Sequence, residues 1–299
     1  MSSDPDLQEP RIEAPPPIAS SGRFGTVLLR PGVLVNPRVR SSAWFLLGTS
    51  LVSTLICVLV ARFLFPEAAG LVAVSLIAFS LLGETVTVLE EDRDVVWTYR
   101  EPSWRANARL ARRIVALFLG IFAGFWLMTF LLPGDSVRQS LGSQLSRFVA
   151  EYTRIQGIEF GSVGTLLRVN VLVLLSSFLF ALVFRAGGAL LVLGWNASVW
   201  GSVYAFLVRT QPTGRFSYGI RVLVATLPHI VLEAGGYILA MLSGIFLSRA
   251  MVKHGWGTPA FRSVCMASVR LLAIGIVATV LAAVTEAWAT PWIARHLFG

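Results

Sequence analysis

Apolar residues in this chain come in long unbroken blocks, at 42–64, 67–88, 112–132, 167–185, 189–208, 222–248 and 264–288. Polar or glycine-containing breaks separate them. About 20 apolar residues in helical form cross a hydrocarbon core of roughly 30 Å, and every block approaches or exceeds that length. A transmembrane β-barrel would instead be written in short alternating segments. The pattern predicts an all-α, polytopic membrane protein with about seven transmembrane helices. A second periodicity lies between the third and fourth blocks. Val137, Leu141, Leu145, Phe148, Tyr152 and Ile155 keep helical spacing, with Arg138, Arg147 and Glu151 on the other face. That spacing predicts an amphipathic helix lying on the membrane surface or against the bundle.

The breaks carry their own signals. Arg185 with Gly187 and Gly188 predicts a tight hairpin between the fourth and fifth spans, and Ser103, following Pro102, is an N-cap candidate leading into the third. Pro228 falls inside the sixth block, where it cannot donate a backbone hydrogen bond. A helix restarting from a Thr226 cap would leave 216–226 in the interface. Residues 1–41 are polar and rich in proline, including Pro5, Pro10 and the run 15–17. Two regions result: an N-terminal arm, 1–41, disordered or interfacial and cytoplasmic, and a helical transmembrane domain, 42–299. The first span is expected to act as its own targeting signal.

Composition agrees, with 55% hydrophobic and 14% charged residues. The net charge of +9 is not a nucleic-acid footprint, because Lys253 is the only lysine among 25 basic residues and the arginines flank spans. Arg93, Arg100, Arg105, Arg109, Arg112 and Arg113 cluster in one break, on the same side as Arg11, Arg23, Arg30, Arg38 and Arg40. The positive-inside rule therefore puts the N-terminus in the cytoplasm. Trp288 and Trp292 suit an interfacial aromatic belt at the opposite face. No nucleic-acid partner is expected; the bilayer, other membrane proteins or a second copy are.

Candidate chemistry concentrates in the sixth block, LPHIVLEAGGYILAMLSGIFLSR. His229, Glu233 and Tyr237 recur at i, i+4 and i+8 on one stripe. Gly236, Ala240, Gly244 and Ser248 form a neighbouring small-residue stripe for close helix approach. A carboxylate at membrane depth costs from about 2.5 kcal/mol upward, so Glu233 is expected to face protein groups. Asn170 and Asn196, in the fourth and fifth spans, are the partners expected to complete a polar knot. Glu84 and Glu286, near span ends, read as solvated flanks. No metal and no cofactor are expected, since His254 and His296 fall on opposite sides of the predicted topology and no HExxH is present. No GxSxG, serine–histidine–acid set or phosphate loop occurs either, so catalytic residues are not assigned and an enzyme is not expected.

The stretch LPHIVLEAGGYILAMLSGIFLSRAM resembles the stage II sporulation protein M family, in which a proline–histidine pair precedes a glutamate and a small-residue helix. The preceding RVNVLVLLSSFLFALVFRAGGALLVLGWNASVWG is similar to that family's preceding pair of spans, with Asn170 and Asn196 at matching places. Ala197 and Ile230 depart from it where glycine is usual. The resemblance covers roughly 165–250. It implies a bacterial or archaeal cytoplasmic-membrane protein without catalysis, a component of an envelope-associated complex. The contrasting expectation is a proton-coupled transporter or permease that uses His229 and Glu233.

Overall fold

A computed structural model describes residues 42–98, 103–155, 163–211 and 214–298, and among these every regular element is helical. Helix α1 is Ala43–Leu64, α2 Ala69–Thr98, α3 Ser103–Leu131 and α4 Gly134–Ile155. Then come α5, Val163–Thr210, α6, Arg215–Lys253, and α7, Pro259–Val284. A π-helical turn, Thr285–Ala289, leads into α8, Thr290–Phe298. The predicted arm 1–41 lies outside the described residues, as do the side chains of Phe148, Tyr152 and Ile155.

Among the described residues, six helices are long and apolar enough to cross a membrane. One of them, α5, has 48 residues and would reach about 72 Å if straight. It does not stay straight. Leu174 in its first half packs with Tyr237, and Asn196 in its second half lines a crevice with the same Tyr237. Both halves therefore pass the same level of α6, which makes α5 a hairpin and gives the bundle room for seven crossings. The pivot is Arg185, at φ 52° and ψ −131°, not one of the two glycines that follow. Gly188 has a different job: a Cβ there would collide with the Phe180 carbonyl oxygen of the other arm.

Local sequence explains the helix starts. Ser42 caps α1 by accepting from the Phe45 amide at 3.2 Å. Thr258 caps α7 by accepting from the Phe261 amide at 3.2 Å, with Pro259 in the first turn, where a missing N–H is harmless. Helix α3 begins at Ser103, as its cap signal implies. Pro228 does not restart α6, which runs continuously for 39 residues. That length, about 58 Å, exceeds any hydrocarbon core, so the ends of α6 project from it. The Thr226 hydroxyl, rather than capping, bonds back to the Val222 carbonyl at 2.8 Å and pairs with Tyr204.

The amphipathic segment forms α4, with Val137, Leu141 and Leu145 buried against the bundle. Glycines set the spacing between spans. Gly120 and Gly124 lie against Ser50 and Thr54 of α1, and Gly201 lies on the backbone of α3 at Phe122. In α6 the small-residue stripe serves two neighbours. Gly236 faces α7, where a Cβ would stand 2.6 Å from Thr279 Oγ1 and 2.9 Å from the Gly275 carbonyl oxygen. Gly244 faces the first arm of α5, at Phe178 and Ala181. Side chains then close the ends. Arg209 donates to the carbonyls of Thr129 and Leu132 at the C-terminal end of α3, a cation where the helix dipole is negative.

Glu84 is a correction. The expected solvated flank is 2% exposed, because α2 continues well past it and keeps it inside the bundle.

Adjacent glycines of α6 test this packing. Gly235 has open space where a Cβ would go, whereas Gly236 and Gly244 do not. Gly235→Ala should hold or raise thermal stability, since alanine is favoured over glycine inside a helix by roughly 0.5–1 kcal/mol. Gly236→Ala and Gly244→Ala should each lower it by about 1–3 kcal/mol through overpacking. Thermal unfolding of the three variants in one detergent checks the order.

Candidate functional site

Close approach of α6 and α7 at Gly236 and Gly275 puts the polar stripe of α6 beside the end of α7. Going outward from that contact, the antiparallel register brings Glu233 to Glu286 and His229 to Thr290. Ligand-type atoms of His229, Glu233 and Glu286 all lie within 4.8 Å of one another. His229 is buried, and the two carboxylates are half-buried. Tyr237, one turn inward, donates its hydroxyl to Glu233 Oε1 at 2.7 Å. Tyr204, on the second arm of α5, donates its hydroxyl to Thr226 of α6.

The histidine is oriented from the other helix. His229 Nδ1 lies 3.0 Å from Thr290 Oγ1. The Thr290 hydroxyl in turn reaches the Thr285 carbonyl oxygen at 3.4 Å. A hydroxyl carries one proton. With that proton on Thr285, Nδ1 is the donor to Oγ1, and the imidazole Nε2 keeps its lone pair. Thr285 opens the π turn and Thr290 follows it. Thr279, Glu286 and Thr290, at i, i+7 and i+11, share the helical face that meets Gly236 of α6, so Glu286 and Thr290 arrive beside Glu233 and His229.

The expected stripe of His229, Glu233 and Tyr237 is thus assembled as an element of the bundle. Its partners differ from those expected. Asn196 donates from Nδ2 to the Val192 carbonyl oxygen of its own helix at 2.8 Å, although it lines the crevice beside Tyr237. Asn170 is buried with no hydrogen-bond partner for Nδ2 among the described residues. The packing register Leu174 to Tyr237 and Ala240, then Ala181 to Gly244, places Asn170 at about the level of Glu233 without a hydrogen bond to it. Ala240 and Ser248 are buried, as helix-packing positions require. Sequence reasoning missed Glu286 and Thr290. Glu286, read as a solvated flank, is part of the cluster. The available signal was an acid just inside the end of the last apolar block, at the same height as the acid of the sixth.

These features define a multi-pass helical membrane protein with a polar cluster where the middle of α6 meets the C-terminal end of α7. The family model for stage II sporulation protein M matches residues 113–291, and the chain belongs to that family. The match extends past the 165–250 stretch on both sides and takes in Glu286 and Thr290. Comparison with curated proteins and with solved structures returned no match.

Replacement of Glu233 separates acceptor from charge. Glu233→Gln keeps an oxygen for the Tyr237 hydroxyl and should insert and fold as the natural chain does. Glu233→Leu strands that hydroxyl, at a cost of about 1–3 kcal/mol. Membrane yield and thermal unfolding should place the leucine variant clearly below the glutamine one; equal behaviour would leave the tyrosine contact without structural weight.

Proposed function

We propose that the protein is a non-catalytic component of an envelope-associated complex in the cytoplasmic membrane of a bacterium or archaeon. Its N-terminus is cytoplasmic, as the arginine-rich break around 93–113 supports. Other membrane proteins or a second copy are its partners, with the bilayer as solvent. The observation that carries this reading is backbone contact through glycine. Gly236 meets α7, Gly244 meets the first arm of α5 and Gly201 meets α3. Helices seated on one another's backbone are hard to slide or rock, which suits a part that holds a shape for others to dock on. Family membership supports the same reading.

Transport is the contrasting reading, and the carboxylate cluster is what favours it, since intramembrane acids often mark proton pathways. The two readings separate in vitro. Purification in mild detergent should bring down at least one further envelope protein in stoichiometric amount. Proteoliposomes holding the protein alone should show no pH-gradient-driven uptake or efflux across a panel of amino acids, sugars and ions. Gradient-driven flux that disappears in Glu233→Gln would overturn the scaffold in favour of the transporter.

A further inference from the structure

We propose that His229, Glu233 and Glu286 form a binding site for one divalent first-row transition-metal ion of the zinc class, joining α6 to the π turn after α7. Three observations converge on it. The first is the donor set itself: one imidazole and two carboxylates within 4.8 Å of one another, contributed by two helices. Ligands of a four-coordinate zinc stand at about 2.0–2.2 Å from the ion and so roughly 3.4 Å apart. Side-chain rotations on the order of 1 Å close that gap. Two carboxylates this close, away from bulk water, repel unless a proton or a cation lies between them.

The second observation is orientation. Thr290 Oγ1 lies 3.0 Å from His229 Nδ1 and 3.4 Å from the Thr285 carbonyl oxygen; in the tautomer with the imidazole proton on Nδ1, Nδ1 donates to Oγ1 and Nε2 keeps its lone pair. A ligating histidine held through its other nitrogen is the usual supporting arrangement in metal sites. Tyr237 does the same for Glu233, donating at 2.7 Å to one oxygen and leaving the other for an ion. The third is spacing: Thr279, Glu286 and Thr290 stand at i, i+7 and i+11 and so share one helical face, the face on which Thr279 meets Gly236 of α6. A nitrogen ligand with two carboxylates suits zinc, cobalt, iron or manganese better than calcium or magnesium, which take oxygen shells. Three protein ligands leave a further position for water or a partner's side chain.

The full chain in detergent, stripped with a chelator, is then titrated with Co2+ as spectroscopic probe and with Zn2+ as competitor. The expected result is a saturable visible band of one Co2+ per chain, discharged by Zn2+, together with a rise in thermal midpoint. His229→Ala and Glu286→Gln should lose the band or weaken binding at least 100-fold, while His254→Ala and His296→Ala retain it. Tyr237→Phe, which keeps every proposed ligand, should weaken binding about ten-fold. Helical circular dichroism and gel filtration establish that each variant is folded. A band that survives in His229→Ala or Glu286→Gln overturns the site, since the ion would then sit elsewhere. Should both variants misfold, the natural chain decides alone: no saturable band overturns the proposal. Metal binding without partners, or partners without metal, would separate this site from the scaffold reading.

Discussion

An ionisable carboxyl at membrane depth has to be enclosed by protein, and the architecture around α6 follows from that constraint. Lipid offers Glu233 neither hydrogen bonds nor screening. Tyr237 supplies a hydroxyl from the same helix. Glu286, from the chain's last apolar stretch, lies within 4.8 Å of Glu233, and Thr290 of the same stretch lies 3.0 Å from His229, so that stretch packs against the polar side of α6. Long-range packing is dictated here by one side chain that cannot face outward.

Glycine makes that enclosure geometrically available. Packed helices stand about 8–10 Å apart axis to axis, according to the side chains between them. With Gly236 opposite Gly275 and Thr279, α6 and α7 meet backbone to backbone. Short side chains such as Glu286 and Thr290 can then reach across to Glu233 and His229. A bulkier residue at position 236 would do more than strain the contact. It would carry the acid of one helix away from the acid of the other. The packing stripe and the polar stripe are thus a single device.

Much of this was legible in the chain. Block lengths foretold the spans, and the Arg185 break foretold the hairpin, though its pivot is the arginine while Gly188 serves close approach. Period-four spacing of His229, Glu233 and Tyr237 put them on one face, and Gly236 and Gly244 lie at tight contacts as their stripe implied. What was not legible depends on tertiary register. Glu286 looks solvated because it lies near a block's end, and only the antiparallel docking of α7 against α6 sets it beside Glu233. The π turn has no clear local signature in TEAWA. Asparagines invited a cross-helix role that Asn196 does not take, because its amide finds a carbonyl one turn back in its own helix, at Val192. Glu84 failed for a related reason: a charged run after it suggested the helix was ending, whereas α2 continues to Thr98.

Position along α6 gives the cluster its character. From His229 to Tyr237 the helix rises about 12 Å, so the three side chains occupy successive turns near the middle of α6. Inward of Tyr237 the helix turns to small and apolar residues, and Gly244 is sealed against Phe178 and Ala181. A proton pathway across the membrane needs successive exchangeable groups over the full thickness. Among the described residues, His229, Glu233, Tyr237 and Glu286 are gathered within about two turns of α6, Glu84 is buried apart from them in α2, and Gly244 makes its backbone contact further along α6. An arrangement of that kind can bind and hold from one face. It stiffens the junction between α6 and the chain's final helices, where Tyr218 also packs on Phe298 and Arg221 donates to the Leu297 carbonyl at 2.9 Å.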